Sequence, residues 1–292
     1  MKKIIFAVQI IILCFSLTSL AQVPRPDHVV VLILENHAFD QIIGSKAAPF
    51  VNSLLKDKHC ALFTNYYAIM HPSQPNYLAI FAGSNFGIDN DDLPENFPFT
   101  YPNLGAELLS HHLTFAGYSE NLPSVGFNGK ILGNYARRHN PWVNWEGANK
   151  NGVPEKLNLP FKYFPKDFNK LPTVSFVIPN VKNDMHDGKD PERIEQSDRW
   201  IKNNLKKYID WTKTHNSIFI LTFDEDNDLE GNHIPTIFFG QMVKGGNFNE
   251  KENHYSLLRT IEDMYHLSYA GESKNTPAIE SCWLFKKTSI KK

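Results

Sequence analysis

Apolar and polar positions along this chain fall into blocks of two alternating kinds. The runs "HVVVLIL" (28–34) and "SIFILTF" (217–223) are apolar nearly throughout, which predicts strands buried on both sides. "LTFAGYS" (113–119), "PTVSFVIP" (172–179) and "IPTIFFG" (234–240) predict three more. Helical patterns lie between them: "APFVNSLLKD", "NLGAELLSHH" and the long "RIEQSDRWIKNNLKKYIDWTKTH", whose Ile194, Trp200, Ile201, Leu205 and Ile209 share one face. "HYSLLRTIEDMYHL" closes the pattern as a helix with Asn253 as its N-cap. Strands alternating with helices predict an α/β fold with a mainly parallel central sheet and helices on both faces. Residues 85–171, rich in Asn, Pro, Gly and aromatics, predict loops and short elements over the sheet, a region able to shape a pocket. With no linker or internal repeat, residues 22–292 read as a single domain.

Residues 1–21 have another character. Lys2 and Lys3, the apolar stretch Ile4–Phe15 and the small residues Ser19 and Ala21 form a secretory signal with cleavage before Gln22. The run is short for a membrane span, so no stable span remains after cleavage. Cys14 follows Leu13 as a lipoprotein cysteine would, but the apolar region would then be stunted. The expectation is an exported protein, periplasmic or secreted. Such a location permits a disulfide between Cys60 and Cys282, which the sequence neither requires nor excludes. A formal net charge of −1 gives no field favouring nucleic acid.

The chemistry starts from "HPSQPNYLAIFAGS" (71–84). Pro72 and Pro75 fix the backbone on both sides of Ser73, Pro75 suits a first helical turn, and an apolar helical run follows. Ser73 therefore opens a helix. It reads as an N-cap, or as a nucleophile at a helix terminus that favours anions.

In a parallel sheet, ligands bind beyond the carboxyl ends of the strands. There the chain places Glu35-Asn36-His37, then Asn180 to Asp187 with Asp184 and His186, then Asp224-Glu225-Asp226. Each group alone could cap a helix or line a turn. Together they bring carboxylates to one edge, where a cation or proton must offset their repulsion. Hard oxygen donors suit a divalent metal.

The set "LENHAFDQIIG", "HPSQPNYLAIFAGS", "RRHNPW", "IPNVKNDMHDG", "TFDED" and "IPTIFFG…NHYSLLRTIEDMY" resembles, in order and from about His28 to Leu267, the phosphoesterase family of bacterial acid phosphatases and phospholipases C. That family belongs to the alkaline phosphatase superfamily. The resemblance implies an alkaline phosphatase-like fold and one divalent metal ion held by Glu35, Asn36, Ser73, Asp224 and Glu225. It further implies Ser73 as nucleophile, passing through a phosphoserine, and His139 and His186 as catalytic and substrate-binding histidines. Asn90 aligns, with a one-residue gap, to a phosphate-binding asparagine of related phosphodiesterases. With these motifs Ser73 reads as both cap and nucleophile.

One departure stands out. Two-metal members of the superfamily carry a Pro-Asp…His motif where this chain has Pro179-Asn180, so a second cation site loses a carboxylate and His139 and His186 are expected in its place. His111 and His112 read as solvated residues of a surface helix, His254 as the start of the last helix, and His233 is ambiguous. Arg137 and Arg138 could reach a substrate, although surface arginines need no such role. The expected activity is an exported acid phosphatase acting on small phosphate esters. A phosphodiesterase or phospholipase C on the same site, or a catalytically dead phosphate- or glycan-binding protein, is the alternative. A sulfatase motif would need arginine where Tyr77 stands.

Overall fold

The computed structural model describes residues 23–284, so the expected signal sequence and Cys14 lie outside the described residues. Its central sheet runs in the order Gly246–Phe248, Cys60–Phe63, Thr236–Phe239, Ser217–Phe223, His28–Leu34, Val174–Ile178, Phe115–Ser119, Asn158–Pro160. Only Thr236–Phe239 runs against the rest. Val29 to Leu34 are wholly inaccessible to solvent, as their unbroken apolar run requires.

The helices are α1 (Phe39–Ile42), α2 (Pro49–Leu54), α3 (Ser73–Ala82), α4 (Leu104–Ser110), α5 (Glu192–Thr212) and α6 (His254–Tyr265). They cover both faces of the sheet, with α3 packed on α6 and α2 on α5. The five apolar positions expected to face inward on α5 are all buried. Asp198 of α5 also accepts the free N–H groups of Phe50 and Val51 at the start of α2, at 2.9 and 2.8 Å. Asn253 caps α6 as expected, accepting from Tyr255 and Ser256 N–H. No helix among the described residues is long and apolar enough to cross a membrane. Cys60 and Cys282 are buried free thiols, so the permitted disulfide is not formed.

Residues 85–171 are more than a cover. Trp142 and Trp145 are fully buried, and both pack edge-on against Phe81 of α3. The segment also supplies Asn158–Pro160, an edge strand ending on a proline that its position tolerates.

Every residue of α3 is buried, so its placement is dictated from all sides. Gly83 ends it in the left-handed conformation (φ 67°), and a Cβ there would lie 2.1 Å from the Ala270 carbonyl oxygen. Gly83→Ala should therefore cost about 2 to 3 kcal/mol by chemical denaturation. An unchanged midpoint would contradict this packing.

Candidate active site

Three neighbouring parallel strands deliver the site. Leu34 and Phe223 are paired in register, so Glu35 and Asp224 leave the sheet side by side. Beyond the strand ends the backbone stays zipped: Asp224 N–H donates to Leu34 O at 2.9 Å and Glu35 N–H to Asp184 O at 2.8 Å. Four carboxylates, Glu35, Asp184, Asp224 and Glu225, are thus buried at one edge of the sheet.

Ser73 joins them from α3. Its Oγ lies 3.1 Å from Glu35 Oε2 and 3.2 Å from Glu225 Oε1. The expected N-cap role does not hold: Pro72 occupies the cap position and no side chain of its own caps the helix. Asp91 instead accepts the Gln74 N–H at 3.0 Å, which leaves the serine hydroxyl directed at the carboxylates. Asn36 N–H donates to Asp224 Oδ1 at 3.1 Å. The Asn36 side-chain oxygen faces Glu35 Oε2 and Glu225 Oε1, acceptor against acceptors. A cation among them would satisfy it, as would the amide turned over, its nitrogen donating to both at 3.2 Å.

A second set of donors adjoins the first through Glu35. Glu35 Oε1 accepts the Tyr77 hydroxyl and lies 3.4 Å from His139 Nε2, while His139 Nδ1 lies 3.3 Å from Asp184 Oδ2. Tyr77 stacks on the His139 ring at 5.1 Å. Donor atoms of Glu35, His139 and Asp184 all fall within 4.8 Å of one another, a cluster able to hold a metal ion. Asp184 Oδ2, Asp224 Oδ2 and His139 Nε2 are buried without a hydrogen-bond partner. Orphaned acceptors in a carboxylate-rich cluster fit one divalent cation.

Electrostatics state the same need. Burial pushes the Glu35 and Asp184 carboxyls well above their ordinary range, and Asp224 adds to both by repulsion. Burial raises Asp224 to about 7. Burial, then the Asp224 charge, raises Glu225 to about 9.

The other expected residues scatter. His186 is half-buried, its ring 5.8 Å from that of His139, with Nδ1 on Asp187 and Nε2 accepting from Arg138. Asn90 is not brought to the cluster: it is exposed, and its side chain bonds Asp89 and the Asp92 N–H within its own turn. Asn180, read as the missing carboxylate, accepts the N–H groups of Lys182 and Asn183 and so shapes a turn. The carboxylate arrives four residues later as Asp184. Asp226 organises the following turn by accepting from Asp228, Glu230 and Asn232 N–H.

His71 had no role in the sequence reading, and His254 was read only as the start of the last helix. His71 touches Glu225 Oε2 at 3.0 Å, Asp226 Oδ1 at 3.1 Å and Asp228 Oδ1 at 3.1 Å, tying the acidic turn to the serine segment. Its place two residues before Ser73 was the available signal. His254 is buried, with Nε2 2.7 Å from the Asp224 carbonyl oxygen, so it braces that strand end from behind. His233 instead stacks on Phe39, and His111 and His112 are exposed. Arg137, expected at the surface, is buried against Asn144.

A cavity of 220 Å³ opens above Asn36 and Glu225, walled by Arg193 and the Asp226–Asp228 turn. A larger one, of 730 Å³, borders Val23 and Leu284 and contains none of the residues of this cluster.

The sequence model of the Phosphoesterase family matches residues 46–268. The chain belongs to the Phosphoesterase family. It is 46% identical over 262 residues to a Mycobacterium tuberculosis protein named Phosphatidylinositol-3-phosphatase, covering 89% of this chain and 84% of that protein. An Aspergillus fumigatus acid phosphatase is 30% identical over 224 residues, covering 72% of this chain and 49% of the longer fungal protein. Among solved structures, an alkaline phosphatase superfamily protein from Vibrio parahaemolyticus superposes with a TM-score of 0.58 at 14% identity, covering 89% of this chain and 72% of the other. The fold is alkaline phosphatase-like, and the phosphoesterase is a hydrolase acting on phosphoric ester bonds.

The raised carboxyls set the pH response of the metal-free phosphoesterase. An acid whose pKa is higher in the folded state stabilises that state below its unfolded pKa and loses the contribution as pH rises through the folded value. Between about pH 4 and the values of about 7 for Asp224 and about 9 for Glu225, Tm in a chelator should fall as pH rises. A saturating divalent cation should flatten that fall. A flat profile in chelator would contradict the neutralisation argument.

Proposed function

We propose that the phosphoesterase is an exported phosphomonoesterase of the acid-phosphatase kind, with Ser73 as nucleophile through a covalent phosphoserine. The observation carrying this reading is the Ser73 hydroxyl, freed from capping and set 3.1 and 3.2 Å from two buried carboxylates. Support comes from relatives that carry phosphatase names. Export rests on the N-terminal sequence.

Glu35, Asn36, Ser73, Asp224 and Glu225 would hold the cation, with Asp184 and His139 adjoining it through Glu35. When bound, the cation lowers the pKa of the coordinated hydroxyl and draws charge from a phosphoryl oxygen. The remaining work belongs to side chains. Ser73 Oγ gives its proton toward Glu35 Oε2 or Glu225 Oε1 and attacks phosphorus, and the bond to the leaving oxygen breaks. His186, half-buried beside His139, would protonate that oxygen through Nε2 once Arg138 releases it, and then take a proton from the water that releases phosphate. His139, enclosed by Tyr77, Glu35 and Asp184, acts on the carboxylates and does not touch substrate. Its charged form is disfavoured chiefly by burial.

Cation-loaded protein should hydrolyse p-nitrophenyl phosphate in preference to its bis ester. Ser73→Ala should lower kcat by at least about 1,000-fold. Acid quenching with labelled substrate should leave one phosphoryl group on the peptide containing Ser73. Preference for the bis ester would move the assignment to a phosphodiesterase, and full activity of the alanine variant would exclude the nucleophile.

A further inference from the structure

A buried histidine stands directly behind the first pair of expected cation ligands. The His37 side chain is wholly inaccessible to solvent. Its Nδ1 lies 2.8 Å from the Glu35 carbonyl oxygen and its Nε2 lies 3.1 Å from Asp190 Oδ1. Its ring is 6.1 Å from that of Phe223, the residue before Asp224. Asp190 is held in turn. Arg193 Nε donates to Asp190 Oδ1 at 2.6 Å, and Arg193 Nη1 donates to the His186 carbonyl oxygen at 3.2 Å. Asp190 is thus joined through His37 to the turn after His28–Leu34, and through Arg193 to the turn that carries Asp184 and His186.

The first of these turns needs holding. Asn36 stands at φ 53°, a left-handed conformation that a residue other than glycine keeps when its surroundings fix it. The peptide unit between Glu35 and Asn36 is gripped at both ends: its N–H donates to Asp224 Oδ1 at 3.1 Å, and its carbonyl oxygen faces His37 Nδ1. That carbonyl can only accept, so the contact needs a proton on Nδ1. Burial lowers the pKa of the ring, and the Glu35 carbonyl and Asp190 oppose this by accepting its protons.

We infer that His37, oriented by Asp190, is a positioning residue that fixes the Glu35–Asn36 peptide and so aims both side chains at the cation. The inference rests on the cation-site reading of the cluster. His37 touches no carboxylate of that cluster; it acts through the backbone that carries two of the expected ligands. Groups that orient ligands in this way commonly govern metal affinity as strongly as the ligands' own surroundings do.

The test titrates Mn2+ by calorimetry into metal-free wild type, His37→Leu, His37→Asn and Asp190→Ala, with Tm in chelator recorded for each. His37→Leu and Asp190→Ala should bind about 10- to 100-fold more weakly than wild type. His37→Asn should stay within about 3-fold of wild type, because its amide nitrogen takes the place of Nδ1. The Asp190 side chain is one-third exposed, so Asp190→Ala should keep its fold, and the test, even where His37→Leu does not. Unchanged affinity in Asp190→Ala, or equal losses in His37→Asn and His37→Leu, would overturn the inference and leave the cation site standing. No Mn2+ bound by wild type would sink the cation site itself, and the inference with it.

Discussion

The whole arrangement depends on bringing four carboxylates out of water at one edge of a sheet. Glu35, Asp184, Asp224 and Glu225 are each less than a tenth exposed, where unpaired negative charge is very costly. The fold enforces their closeness through the backbone, since hydrogen bonding continues past the strand ends and locks Leu34, Glu35, Asp184 and Asp224 to one another. Side chains so fixed cannot separate to relieve repulsion. They must take up protons or a cation, and the site's chemistry follows from that alternative.

The surroundings then orient the cluster. Tyr77 donates to one oxygen of Glu35, with His139 Nε2 3.4 Å away, leaving the other to face Ser73. Asn76 and His71 do the same for Glu225. His254 grips the Asp224 carbonyl from α6. The start of α3 is satisfied by Asp91 from a separate loop, a division of labour that frees a serine which would ordinarily cap its own helix. The other Asp91 oxygen lies 3.3 Å from Arg138 Nε, so the helix start and that guanidinium are referenced to one carboxylate.

Much of this was legible in the sequence where a single local rule governs. Buried parallel strands announce themselves as apolar runs, and the residues just after them gave Glu35, Asn36, Asp224 and Glu225. Ser73 was marked by its prolines. Residues placed by long-range geometry were not legible. Asp184 was named at its strand end but given no role, because it lies six residues past the strand, at the end of a turn whose shape no propensity predicts. His71 and His254 look like ordinary helix-flanking residues until the fold brings carboxylates or a carbonyl against them. Asn90 turns its side chain to its own turn, and an alignment with a gap cannot specify which way a turn presents its side chains. Cys60–Phe63, Asn158–Pro160 and Gly246–Phe248 are too short to show a period and take their strand character from neighbours already in the sheet.

The central claim is that the neutralising cation lies against the serine hydroxyl. Anomalous diffraction from manganese-loaded crystals tests it most directly. The account predicts one ion contacting Ser73 Oγ, with Glu35, Asn36, Asp224 and Glu225 completing its shell. An ion held by His139 and Asp184 and out of contact with Ser73 would contradict it.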